Sequence, residues 1–191
     1  MARAKEFDRE EALERAMNVF WAHGYEATSL PALLEAMGIA RQSMYDTFGD
    51  KRALFQAALE RYIDRAEVAH ACLASAPSVK RAIRDLFEAI ADSSVREKRR
   101  GCLGVLTTVE LAPHDPAIAK LLASRQRVLE DHLYAALERG RATGEIAKSK
   151  DSRGLARYLV SALLGLRLAA STDPNGSGLH DVVRFTLAAL D

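Results

Sequence analysis

The residues with the most chemical content lie close together, between Thr28 and Lys51 of a 191-residue chain. Arg41, Gln42, Ser43, Asp46 and Thr47 fall on the outward side of one short helical repeat. Met44 and Phe48, four apart, form its apolar side. An arginine offers two donors that match guanine O6 and N7 or a phosphate, and a glutamine amide matches adenine N6 and N7. Tyr45 can pack on its ring and offer its hydroxyl to a phosphate. Lys51 opens the next helical repeat, where a cation and free backbone N–H groups both favour an anion. Together these side chains have the chemistry to read a duplex by its base edges and grip its backbone. On an ordinary solvated helix the same residue types would do nothing, so the elements that carry them decide.

Those elements are legible. Ser29 caps a short helix with Leu30, Leu33, Leu34 and Met37 at helical spacing, and Pro31 sits in its first turn, where a missing N–H costs nothing. Gly38 stops it, Ile39 follows as a buried turn residue, and a second short helix runs from about Arg41 to Phe48. This is the helix-turn-helix plan, in which the second helix enters a major groove about 12 Å wide. Upstream, Asp8 and Glu11 have capping-box spacing, Leu13, Ala16, Met17 and Phe20 form an inward stripe, and Gly24 ends the helix. Residues 1–52 hold 7 Arg and Lys against 9 Asp and Glu, so the sum does not favour DNA. The distribution does: Arg3, Lys5, Arg41, Lys51 and Arg52 lie toward the expected contact face, while Glu10, Glu11 and Glu14 cluster in the first helix.

The rest of the chain also has helical period and no run of alternating β-branched residues, which predicts an all-α fold of about nine helices. The expected helices are Asp50 to about Ala74, Val79–Ser94, Leu103–Ala112, Pro116–Arg141, Asp151–Ser171 and a last one from Leu179. Arg96 to Gly101 reads as a polar loop, its Lys98-Arg99-Arg100 run solvated. The Asp151–Ser171 segment is apolar nearly all round. That predicts cover on more than one side, either as a central core helix or as the favoured dimer seam, with Leu163 and Leu166 in the seam.

Hydrophobic residues make up 49% and the net charge is +1, ordinary for a soluble globular chain. Two cysteines, Cys72 and Cys102, fit a reducing cytoplasm rather than a disulfide framework. The start lacks an apolar signal segment, and no stretch reads as a membrane span. There is no zinc-ligand spacing, phosphate loop, dinucleotide fingerprint or nucleophile elbow, so no enzyme activity, metal or cofactor is expected. Cys102 beside Arg99 and Arg100 is open to two readings, a packed inert thiol or a thiolate-prone redox sensor.

The stretch Gly24-Tyr25-Glu26-Ala27-Thr28-Ser29-Leu30, followed by Gly38-Ile39-Ala40-Arg41-Gln42-Ser43-Met44-Tyr45-Asp46-Thr47-Phe48-Gly49-Asp50-Lys51-Arg52-Ala53-Leu54-Phe55, resembles the DNA-binding domain of the tetracycline-repressor-like (TetR/AcrR) regulators. The match runs from about Arg9 to Tyr62. It implies a DNA-binding domain over residues 1–52 and an effector-binding and dimerisation domain over 53–191. It implies a homodimeric repressor on double-stranded, palindromic operator DNA, released by a small organic effector. Phosphate contacts follow for Thr28 or Ser29, Tyr45 and Lys51. Base contacts follow for Arg41, Gln42 and Asp46, with Ser43 and Thr47 on backbone or bases. Two departures stand out. Ala40 replaces a common Ser or Thr cap, worth typically ~1 kcal/mol. Asp46 stands where an aromatic residue or His is usual. The family's effector pocket would here be lined by Phe87, Ile90, Leu106, Val109, Leu122, Leu129 and Leu133, with Glu110, Arg125, Gln126 and His132 as polar lining. The competing reading is a helical ligand-binding or interaction protein whose helix-turn-helix is vestigial.

Overall fold

Side-chain caps start most of the helices in the computed structural model, which describes residues 7–191 apart from the side chains of Ala69 and Cys72. The sequence readings at Arg3, Lys5 and Cys72 lie outside the described residues. The elements are α1 (Arg9–His23), α2 (Leu30–Met37), α3 (Arg41–Phe48), α4 (Lys51–Ser75), α5 (Val79–Ala91), α6 (Val95–Arg100), α7 (Leu103–Glu110), α8 (Pro116–Thr143), α9 (Ser152–Thr172) and α10 (Gly178–Ala188). The carboxylates of Asp8, Asp50, Asp115 and Asp151 and the hydroxyls of Ser29, Ser78 and Ser94 each accept from a first-turn backbone N–H. No strand occurs among the described residues. The chain is all-α, as its periodicity predicts.

The extra helix is α6, where the sequence reads as a loop. Ser94 and Glu97 form a reciprocal capping box, and Lys98, Arg99 and Arg100 fall in the last turn, where cations suit the carbonyl end of the dipole. A helix so polar has no buried residue, and period alone could not reveal it. Its cations are not simply solvated. The Arg100 guanidinium lies 3.7 Å from the Trp21 ring centre, Trp21 donates to the Gly101 carbonyl at 3.1 Å, and Lys98 donates to the Pro174 carbonyl at 3.1 Å.

Two apolar cores organise the helices. The front core joins α1–α3 to the first half of α4, with Phe20 edge-on to Phe55 at 5.0 Å, and extends to Leu103, Leu111 and Ile118. Phe20 is fully buried, so truncation to Ala would cost ~3–5 kcal/mol. The rear core packs α5, α8, α9 and α10 around Phe87, Leu133, Leu137, Leu159 and Leu163. α4 serves both, with Leu54 to Ile63 in front and Leu73 behind. A division after residue 52 therefore cuts a continuous helix whose next three turns still belong to the front core.

The Asp151–Ser171 expectation needs one correction. Leu163 and Leu166 are buried within their own chain, against the rear core, and are not available as a seam. The large apolar residues that α9 and α10 leave exposed are Tyr158, Leu168 and Phe185.

Candidate nucleic-acid interface and effector cavity

α2 and α3 meet at Gly38, whose φ of 68° lies in the left-handed region and lets its N–H donate to Leu34 and Glu35 carbonyls. This turn sets α3 across α2. Met44 and Phe48 fix α3 in the front core, and Arg41, Gln42, Tyr45 and Asp46 are exposed, with Ser43 and Thr47 half-buried. Ala40 caps α3 with no side-chain hydrogen bond, as its residue type requires.

Within this face the polar groups are partly ordered. Gln42 Nε2 donates to Asp46 Oδ1 at 2.8 Å, one turn on. Asp46 thus orients the glutamine amide in the free protein. Ser29 Oγ accepts from Ala32 N–H, which leaves its own proton free for an anion. Thr28 differs from expectation: it is buried, and its hydroxyl donates to the Gly24 carbonyl at 2.6 Å. Its proton is committed to closing the turn, which leaves the Ser29 hydroxyl as the freer donor of the two. Lys51 Nζ stands 4.3 Å from the Tyr25 ring centre, held over the turn at the start of α4.

The acids clustered in α1 are committed to ion pairs. Arg61, on α4, pairs with Glu10 and Glu14, Arg65 pairs with Glu14 at 2.6 Å, and Arg15 with Glu11 at 2.5 Å. Burial works to raise the Glu14 carboxyl, but Arg65 and Arg61 outweigh it and hold it below the usual carboxylate range. Two of these cations, Arg61 and Arg65, come from beyond residue 52, so a count over that window could not include them.

The larger feature behind this face is a cavity of about 350 Å³ between α4, α7, α8 and α9. Of the expected lining, Val109, Leu122, Arg125, Gln126, Leu129 and His132 are there. Five others are not. Phe87 and Ile90 of α5 pack into the rear core, because α9 rather than α5 closes the cavity, and Leu133 of α8 faces that core too. Leu106 is exposed and lies outside the wall. Glu110 points forward instead, and its carboxylate accepts from Tyr25 N–H at 2.9 Å and Glu26 N–H at 2.8 Å. That contact also explains Gly24. At φ 77° it is strained for any side chain, and a Cβ would come 2.9 Å from Glu110 Oε2.

The sequence missed Tyr62, His70 and Arg167 as lining residues. A signal existed for Arg167, the one charge amid the Leu-rich stretch of α9. Tyr62 Oη donates to Cys102 Sγ at 3.3 Å, and burial, with Cys102 adding to it, pushes the Tyr62 phenol well up. Cys102 thus lines the cavity. Arg100, which the sequence sets near it, is occupied by Trp21 and Asn18. Among the described residues no group of three metal-ligating side chains converges, and no helix is long and apolar enough to cross a membrane.

An exposed α3 behind a helix-turn-helix turn and a phosphate-suited helix start define the class of helix-turn-helix DNA-binding regulators. Residues 12–58 match the profile of bacterial regulatory proteins of the tetR family, and residues 79–185 match the tetracyclin repressor-like C-terminal domain. The chain is 40% identical to the uncharacterized HTH-type transcriptional regulator YezE of Bacillus subtilis, over 100% of both chains. It is 37% identical to the HTH-type transcriptional repressor ComR of Escherichia coli, over 97% of this chain and 90% of that one. A cysteine-substituted form of the TetR family regulator CifR, solved with a 26-bp double-strand operator DNA, superposes with a TM-score of 0.86 at 34% identity, covering 100% of both chains. The protein belongs to the tetR family of bacterial regulatory proteins. It is a DNA-binding transcriptional regulator, not an enzyme.

Proposed function

We propose that this chain is a homodimeric, cytoplasmic repressor that binds a palindromic operator and releases it when a small organic effector fills the cavity between α4, α7, α8 and α9. Residues 1–52 make the DNA contacts, and residues 53–191 bind the effector and dimerise, with α4 running through both. Arg41 and Gln42 read bases, with Asp46 setting the glutamine. Ser29, Tyr45 and Lys51 hold phosphates, and Ser43 and Thr47 contribute at the edges.

The observation that carries this reading is the Glu110 contact. α7 supplies Gly104, Val105, Thr108 and Val109 to the cavity wall, and its last residue holds the turn that precedes α2. A ligand that displaces α7 therefore pulls on the helix-turn-helix directly. Exposed Tyr158, Leu168 and Phe185 support a dimer through α9 and α10, which would set two α3 helices about one DNA turn, ~34–36 Å, apart or a multiple of it. The likeness to CifR, solved with operator DNA, supports the DNA partner.

The test is a fluorescence-anisotropy titration of the full chain against duplexes tiling the DNA that flanks its own coding sequence, at stated salt. One duplex should bind far more tightly than the rest, at a stoichiometry of two chains per site, and should have dyad symmetry. Uniform, weak binding across all duplexes would leave the helix-turn-helix without a specific role.

A further inference from the structure

We propose that the cavity takes an organic anion, a compact apolar body carrying one carboxylate, with Arg167 meeting the charge and His70 and His132 flanking it. This rests on the effector reading and adds the chemical class of the ligand. The cavity size falls in the usual range for small-molecule sites, about 300–1,000 Å³. Most of its wall is aliphatic, from Ile63, Leu122, Leu129 and Leu163 among others. Its charged groups do not balance. The Arg125 guanidinium is occupied by Glu67 at 2.8 Å and, from outside the wall, by Asp64 at 3.6 Å, so it offers the cavity no open positive charge. Arg167, on α9, has neither ion pair nor hydrogen bond among the described residues.

The two histidines reinforce the asymmetry. His70, on α4, is only 8% exposed and has no hydrogen-bond partner among the described residues. His132, on α8, buries an Nδ1 with no partner among them. Three helices thus bring three nitrogen bases or cations to one cavity, and among the described residues the only carboxylate on its wall, Glu67, is already paired. Burial, then the charges of Arg167 and His132, hold the His70 imidazole down to about 4, with Glu67 opposing them weakly. A carboxylate offsets the positive charge on this wall. It pairs the open guanidinium, accepts from an imidazole N–H, and raises the proton affinity of His70. A neutral ligand of the same shape leaves the guanidinium unpaired, and a cation is repelled.

The probes are 2-naphthoate, 2-naphthamide and 2-naphthylmethylamine, which share one apolar body and carry a negative charge, none and a positive charge. Calorimetry on the full chain should show the naphthoate binding about tenfold or more tightly than the amide, the size of one charge-assisted hydrogen bond, and the amine weakest. Arg167→Gln should bring the naphthoate down to the amide's affinity and leave the amide unchanged, and Arg167→Lys should restore part of the difference. By NMR, the His70 ring should titrate higher in the naphthoate complex than in the amide complex. Equal affinities, a preference for the amine, no binding by any of the three at millimolar concentration, or a carboxylate preference that survives Arg167→Gln would overturn the proposal. Operator release is read separately. A naphthoate that binds with the expected preference yet leaves operator affinity unchanged removes the effector reading and keeps the anion site. A failed charge preference leaves the cavity to an effector of other chemistry.

Discussion

Replacing Glu110 by Ala should loosen the joint between the cavity and the DNA-binding helices. In the native chain the Glu110 carboxylate receives two backbone N–H groups, from Tyr25 at 2.9 Å and Glu26 at 2.8 Å. Hydrogen bonds to a charged acceptor are each worth roughly 1.5–3 kcal/mol. Both share one carboxylate, and Glu26 is exposed, so water replaces part of what is lost. The pair together should then cost about 1.5–3 kcal/mol, roughly half the simple sum. For a chain of this length that lowers the melting temperature by about 3–12 °C. Calorimetric melting at fixed protein concentration reads the first effect. Hydrogen exchange at the Tyr25 and Glu26 amides reads the second, and should accelerate well beyond that of α5. Glu110→Gln keeps one acceptor oxygen and should fall between the two. A melting temperature equal to the wild type, with unchanged exchange at Tyr25 and Glu26, would refute the clamp and with it the route from α7 to α2.

Three more outcomes are expected. The Asp115 carboxyl is held down to about 2, first by the hydrogen bond from Arg52 and then by the α8 N-terminal N–H groups, so its stabilising contribution is present above about pH 4 and lost as pH falls toward 2. Asp115→Asn should flatten the acid limb of the stability curve in that window, and an unchanged limb would count against the pair. Phe185→Asp or Leu168→Asp, at positions 62% and 56% exposed in the single chain, should give a folded monomer by light scattering; a dimer mass for both would move the interface elsewhere. On DNA, Gln42→Ala should cost about 1–3 kcal/mol and relax preference at one base. Lys51→Ala should weaken all sequences alike and reduce the salt slope by about one; a changed base preference with the slope intact would reverse those roles.

The front of the molecule was readable because its determinants are local. Asp8, Ser29 and Asp50 each cap a helix within three residues, Gly38 takes the left-handed turn that only its lack of a Cβ makes cheap, and Met44 and Phe48 face inward by helical period. The same locality exposes Arg41, Gln42 and Tyr45. Thr28 was misplaced because its partner is the Gly24 carbonyl, and the choice between an inward and an outward hydroxyl depends on how the turn closes. The cavity was half readable. Val109, Leu122, Leu129 and His132 fall on the expected helix faces, but the period of α5 gives no sign that its apolar side serves the rear core.

The sequence alone determined the all-helical fold, the helix-turn-helix and the family, since period, caps and turn residues act between neighbours in the chain. Tertiary structure decided which stripe of α9 is core and which is surface. Leu163, Leu166 and Leu168 are equally apolar in sequence, and only packing against α5, α8 and α10 buries the first two and leaves the third exposed. It also decided the partners of the long polar side chains. Glu110 reaches a turn 85 residues away, Arg61 and Arg65 neutralise a helix 51 residues back, and Arg167 meets no acid among the described residues. A helix fixes the direction of a side chain around its own axis. What stands in that direction is set by the neighbouring helices, whose placement depends on all the cores together.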